Sequence, residues 1–123
     1  MVRVLLVEDE SVILKSMTRI LEGKGLVVLA AANAPDAIKL YAEHKPPYAI
    51  LDLHLPGGRT GLDVLEAVKK INSNVKAYLI TAEEADYFKG RAEKLGLTGF
   101  IPKPLDVEKL RKLADSFLED EKL

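Results

Sequence analysis

The 123-residue chain carries 18 basic and 19 acidic side chains, 48% apolar residues and no cysteine. A chain of this size forms one domain and buries a core without staples, while the missing thiols exclude a disulfide framework or a thiolate zinc site. Balanced charge gives the whole domain no electrostatic case for binding nucleic acid or a membrane surface.

No apolar run approaches the ~20 residues of a bilayer span. Met1 leads straight into a strand-like run with no signal-peptide pattern, so a cytoplasmic location is expected. The first strand is Val2 to Val7, which ends in Glu8, Asp9 and Glu10. Ser11 is a plausible N-cap for a helix with Val12, Ile13, Met17, Ile20 and Leu21 on one face, ended by Gly23 and Gly25. Val27 to Ala31 is a second strand. Pro35, in the first turn of a second helix, precedes Ala37, Ile38, Leu40 and Tyr41, and Lys45-Pro46-Pro47 closes it.

After Tyr48, an apolar run from Ala49 to Leu51 gives way to one carboxylate, Asp52, and then to a Pro/Gly loop from Asp52 to Gly61. Gly61 opens a third helix carrying Leu62, Leu65, Val68 and Ile71. Val75 to Ile80 is a fourth strand, followed by Thr81. Glu83 to Leu95 is predicted as a fourth helix, closed by Gly96. Gly99 to Ile101 is a short fifth strand leading into Pro102-Lys103-Pro104, and Asp106 caps a fifth helix with Val107, Leu110, Leu113, Phe117 and Leu118.

Strict βα alternation implies a parallel sheet with helices on both faces. Five units are too few for a closed barrel. The expected fold is a doubly wound five-stranded α/β sheet of order 2-1-3-4-5 with five helices. One domain spans residues 1–123, with a core over 2–118 and a short tail over 119–123.

Ligands bind such sheets beyond the carboxyl ends of the strands, at the switch point between strands one and three. There strand one delivers Glu8 and Asp9, strand three Asp52, strand four Thr81 and strand five Lys103; strand two, on the far edge, delivers only alanines. Like charges that close repel unless one stays protonated. A divalent cation removes the conflict, and an oxygen-only donor set points to Mg²⁺. A hydroxyl and an ammonium beside it suit a phosphoryl group, and an aspartate can carry one covalently.

Over essentially its full length the chain resembles the receiver domain of bacterial two-component response regulators. The matching residues are Glu8-Asp9, Asp52 with Pro56 and Gly61 downstream, Thr81-Ala82 and Lys103-Pro104. The resemblance implies a flavodoxin-like sheet. It implies that Asp52 is the phosphoacceptor, that Asp9 binds Mg²⁺ directly with Glu8 acting through water, and that the His54 carbonyl completes the metal site. Lys103 is expected to pair with Asp52, Thr81 to move inward onto a phosphoryl oxygen, and the Lys103-Pro104 bond to be cis. The implied donor is a histidine kinase or phosphotransfer protein, and a downstream effector reads the switch. Such a protein is no turnover enzyme; it catalyses only its own phosphotransfer and dephosphorylation.

Three features depart from the commonest family pattern. Phe100 stands where the switch aromatic is often Tyr, so its inward state gains packing but no hydrogen bond; the alternative is that Phe100 is simply core. The loop through Gly57-Gly58-Arg59-Thr60 is one residue longer than usual. His54 and Glu83 take the two positions flanking the phosphoryl group and are expected to set its lifetime. Two rival functions are an aspartyl-phosphate hydrolase similar to the haloacid dehalogenases, whose Asp-x-Asp motif is lacking, and a receiver-like scaffold that only binds proteins. Self-association through the fourth and fifth helices, and whether the chain is a whole regulator or the front of a longer one, stay open.

Overall fold

The computed structural model describes residues 1–82 and 88–122. Its strands are β1 (Arg3–Val7), β2 (Val27–Ala31), β3 (Tyr48–Asp52), β4 (Lys76–Thr81) and β5 (Gly99–Pro102). Its helices are α1 (Ser11–Gly23), α2 (Ala34–His44), α3 (Gly61–Ile71), α4 (Lys89–Lys94) and α5 (Val107–Lys122). All strand pairs are parallel and the order is β2-β1-β3-β4-β5, as expected.

Alternation along the central strands divides the core into two layers. Leu5, Val7, Ala49, Leu51 and Leu79 face the layer built with α2 and α3. Val4, Leu6, Ile50 and Ile80 face the layer of α1 and α5, where Met17, Leu21 and Phe117 are buried. Every residue of β3 is buried. Each fully buried Leu, Ile or Phe contributes roughly 1.5–3 kcal/mol, and these layers hold the sheet that carries the polar ends.

Local chemistry sets the helix starts. Asn33 Oδ1 accepts from the Asp36 N–H at 2.9 Å, with Pro35 in the first turn of α2. Thr60 and Asp63 form a reciprocal capping box at α3. Asp106 Oδ1 accepts from the N–H groups of Glu108 and Lys109. Ser11 does not cap α1: it is the first helical residue, and Glu10 holds the cap position without a side-chain bond. The reason is upstream, since the Glu10 N–H donates to the Glu8 carboxylate at 3.2 Å and starts the turn one residue early.

Other boundaries also differ from the sequence reading. Thr81 is the last residue of β4 and lies opposite Pro102 of β5. The segment expected to be a tail is helical, because α5 runs on to Lys122. Asp120 pins it, accepting from Lys76 Nζ at 2.7 Å and from the Tyr48 hydroxyl. The first turn of the expected fourth helix, Glu83 included, lies outside the described residues.

Candidate phosphoacceptor and metal site

Two neighbouring strands bring the three carboxylates together. Glu8 follows β1 and is 1% exposed; Asp52 ends β3 and is 2% exposed. Asp9, next to Glu8, is exposed. One carboxylate oxygen from each of these acids lies within 4.8 Å of the others. Lys103, from the loop after β5, places Nζ 3.2 Å from Asp52 Oδ1 and 3.1 Å from Oδ2. The His54 N–H donates to Asp52 Oδ1 at 3.3 Å. Thr81, 7% exposed, lies one residue beyond Ile80, the register partner of Asp52. The Lys103 N–H donates to the Thr81 carbonyl at 3.1 Å, which ties the ends of β4 and β5 together.

Electrostatics make the cluster costly. Burial, and then the hydrogen bond and charge of Asp52, push the Glu8 carboxyl from 4.5 to about 7. The Glu10 N–H and the Lys103 ammonium pull the other way and are outweighed. A set of three hard oxygen donors, one of them with its carboxyl pushed up by burial and by its neighbour Asp52, fits a hard divalent cation better than it fits a bare fold. Beside it a cleft of about 370 Å³ runs between α1 and the β5–α5 loop, lined by Glu8 and Lys103 and by the apolar Val12, Ile13, Pro104 and Leu105.

The loop after Asp52 is fastened at both ends. The Gly61 N–H donates to the Leu53 carbonyl at 2.9 Å, and His54 bridges Thr60 in antiparallel fashion. Gly61 has no spare room: an added Cβ would collide with the Asp52 carbonyl oxygen and lie 2.9 Å from Leu79 Cδ1. The Lys103-Pro104 peptide bond is cis. Phe100 is 46% exposed, so it is not core, and its ring meets buried Phe88 edge-on at 5.9 Å.

The response regulator receiver domain family matches residues 4–115. This chain belongs to that family. Receiver domains are phosphorylatable switches of two-component signalling, and this one has their single-domain fold. The chain is 27% identical to sporulation initiation phosphotransferase F of Bacillus subtilis, over 94% of this chain and 93% of that one. It is 32% identical to the photosynthetic apparatus regulatory protein RegA of Cereibacter sphaeroides, over 86% of this chain but only 57% of that longer protein. Among solved structures it resembles a CheY-like receiver domain protein of Methanospirillum hungatei, with TM-score 0.89 and 28% identity over 99% of this chain and 98% of that one.

Sequence reasoning singled out Glu8, Asp9, Asp52, Thr81 and Lys103, and the fold gathers all five at the carboxyl edge of the sheet. It missed the capping box at Thr60, although the Thr-x-x-Asp pattern from Thr60 to Asp63 signals one. It also missed Arg91, whose guanidinium reaches Asp63 and Glu66 on α3; nothing local marks that pairing, since it joins separate helices.

Proposed function

We propose that Asp52 accepts a phosphoryl group from a phosphohistidine on a histidine kinase or phosphotransfer protein, and that Glu8, Asp9, Asp52 and the His54 carbonyl hold Mg²⁺ beside it. The observation that supports this most is the Asp52 carboxylate, buried at a strand end, with Lys103 at 3.1 Å and two further acids within 4.8 Å. A carboxylate oxygen of Asp52 attacks phosphorus in line, the P–N bond breaks, and the imidazole leaves with the bonding pair and takes up a proton. Lys103 neutralises charge on the transferring group, and Thr81 donates to one of its oxygens. Bound Mg²⁺ supplies further charge neutralisation for the phosphoryl oxygens. His54 and Glu83 set the lifetime of the acyl phosphate, which makes the chain a switch rather than a turnover enzyme. Thr81 and Phe100 pass the change to the surface that an effector reads.

Incubation with acetyl phosphate and MgCl₂ tests this. Stoichiometric label, lost slowly and absent from Asp52→Asn, is the expected result. Continuous phosphate release identifies a hydrolase, and an unlabelled chain identifies a protein-binding scaffold; either refutes the proposal. Alanine at His54 or at Glu83 is expected to change the rate of label loss severalfold.

A further inference from the structure

We propose that Arg91 latches α4 to the start of α3, whose capping box holds the loop that follows Asp52, so keeping the arrangement in which Lys103 pairs with bare Asp52 and Phe100 faces outward, and that opening this latch is part of the switch; the second clause rests on the phosphoacceptor reading. Arg91 Nη2 lies 2.8 Å from Asp63 Oδ1 and 2.7 Å from Glu66 Oε2. The other oxygen of Asp63 accepts from the Thr60 N–H at 2.8 Å. Thr60 bridges His54, and the His54 N–H donates to Asp52. A continuous run of polar contacts thus joins a helix on the surface to the buried carboxylate.

The helix needs such a tether. The described α4 has six residues, of which Ala92 alone is buried, with Phe88 preceding it. Elements with few buried side chains open locally at low cost. Beneath the latch lies a cavity of about 150 Å³, lined by Leu53, His54, Thr60, Leu62, Phe88 and Arg91. Close-packed interiors resist displacement; here there is space for α4 and the loop to shift against each other. Phe100 leans on Phe88, at the start of the same helix, so movement of α4 removes the support of the outward ring. If two elements are coupled in this way, the influence is reciprocal: what loosens α4 changes the behaviour of Asp52, and the reverse.

The test uses Arg91→Gln, Glu66→Gln and the double variant of the full chain, without phosphodonor and then with acetyl phosphate and MgCl₂. Amide exchange is read at Ala92 and Leu95, whose N–H groups bond to the Phe88 and Arg91 carbonyls. Arg91→Gln is expected to speed exchange there about fivefold, the scale of an exposed two-acceptor ion pair. The effect should be independent of low urea, as local opening requires, and the double variant should add little to it. Labelling of Asp52 should rise severalfold in the same variants. Unchanged exchange overturns the latch whether or not Asp52 takes a phosphoryl group. Faster exchange with unchanged or slower labelling overturns its link to the switch. A wild-type chain that takes no label, with exchange responding as expected, refutes the phosphoacceptor reading and that link while upholding the tether.

Discussion

Replacing Glu8 by Gln should stabilise the metal-free protein near neutral pH. The Glu8 carboxyl is 1% exposed and hydrogen-bonded to Asp52, and burial first and Asp52 second raise it from 4.5 to about 7. A carboxyl raised in the folded state keeps its proton after the unfolded chain has released it. Between these two values the unfolded state binds fewer protons, so stability falls as pH rises. The favourable contribution is complete below about 4.5 and lost by about 7. At about 1.4 kcal/mol for each tenfold change in proton affinity, the whole passage costs the fold at most about 3–4 kcal/mol. Glutamine keeps an oxygen for the Glu10 N–H and offers an N–H to Asp52 without the second charge. Urea melts in EDTA should therefore show wild type losing roughly 2 kcal/mol between pH 5 and 7.5 and Glu8→Gln losing far less, so that the variant is the more stable at pH 7.5. Saturating MgCl₂ should stabilise wild type more than the variant. Parallel pH profiles, or a variant less stable than wild type at pH 7.5 in EDTA, would refute the reasoning.

Gly61→Ala should lose about 2–4 kcal/mol in urea melts, because its Cβ meets backbone at Asp52 and cannot be accommodated by a side-chain rotation. Lys45 closes α2 at φ 46°, a left-handed conformation that costs a side chain about 1 kcal/mol; Lys45→Gly should gain about 0.5–1 kcal/mol, read as a raised melting temperature. Tyr48→Phe should lose about 1 kcal/mol, since the hydroxyl donates to the Phe117 carbonyl at 3.3 Å. In alkaline absorbance titration the Tyr48 phenol should ionise only near 12, held up by burial and by the carboxylates of Asp120 and Glu121.

Much of this architecture is legible because its signals are local and repeated. The runs Val4 to Val7 and Ala49 to Leu51 are continuous apolar segments, which only strands buried on both faces require. Strict alternation with amphipathic helices then leaves few topologies. The site is legible for the same reason: strand ends fall together once the order is known, so Glu8, Asp9, Asp52, Thr81 and Lys103 must share an edge. What sequence does not carry is decided by tertiary partners. Ser11 looks like a cap until the Glu8 carboxylate takes the Glu10 N–H. Residues 119–122 look like a polar tail until Lys76 and Tyr48 are seen holding Asp120. Phe100 reads equally as core or switch, and only the half-exposed ring against Phe88 rules out the core.

Nothing in the folding of this sheet asks for two acids at the ends of its central strands. A well-packed apolar pair there would be at least as stable, because removing charges from water costs more than imperfect pairing returns. The two apolar layers tolerate that cost, and Lys103 offsets part of it at 3.1 Å from Asp52. The uncompensated remainder is free energy available to any ligand that relieves it. A cation among Glu8, Asp9 and Asp52 would remove the repulsion directly, and a phosphoryl group on Asp52, as proposed, would redirect Lys103 to new oxygens. Cost in the resting state and responsiveness to ligand are then one quantity. It follows that a substitution which quiets the cluster without a ligand must also blunt its response, and Glu8→Gln should bind Mg²⁺ more weakly by about the factor it gains in stability. Calorimetric titration with MgCl₂ at pH 7.5 measures that factor, and equal affinity in the two proteins would show that the strain is spent elsewhere.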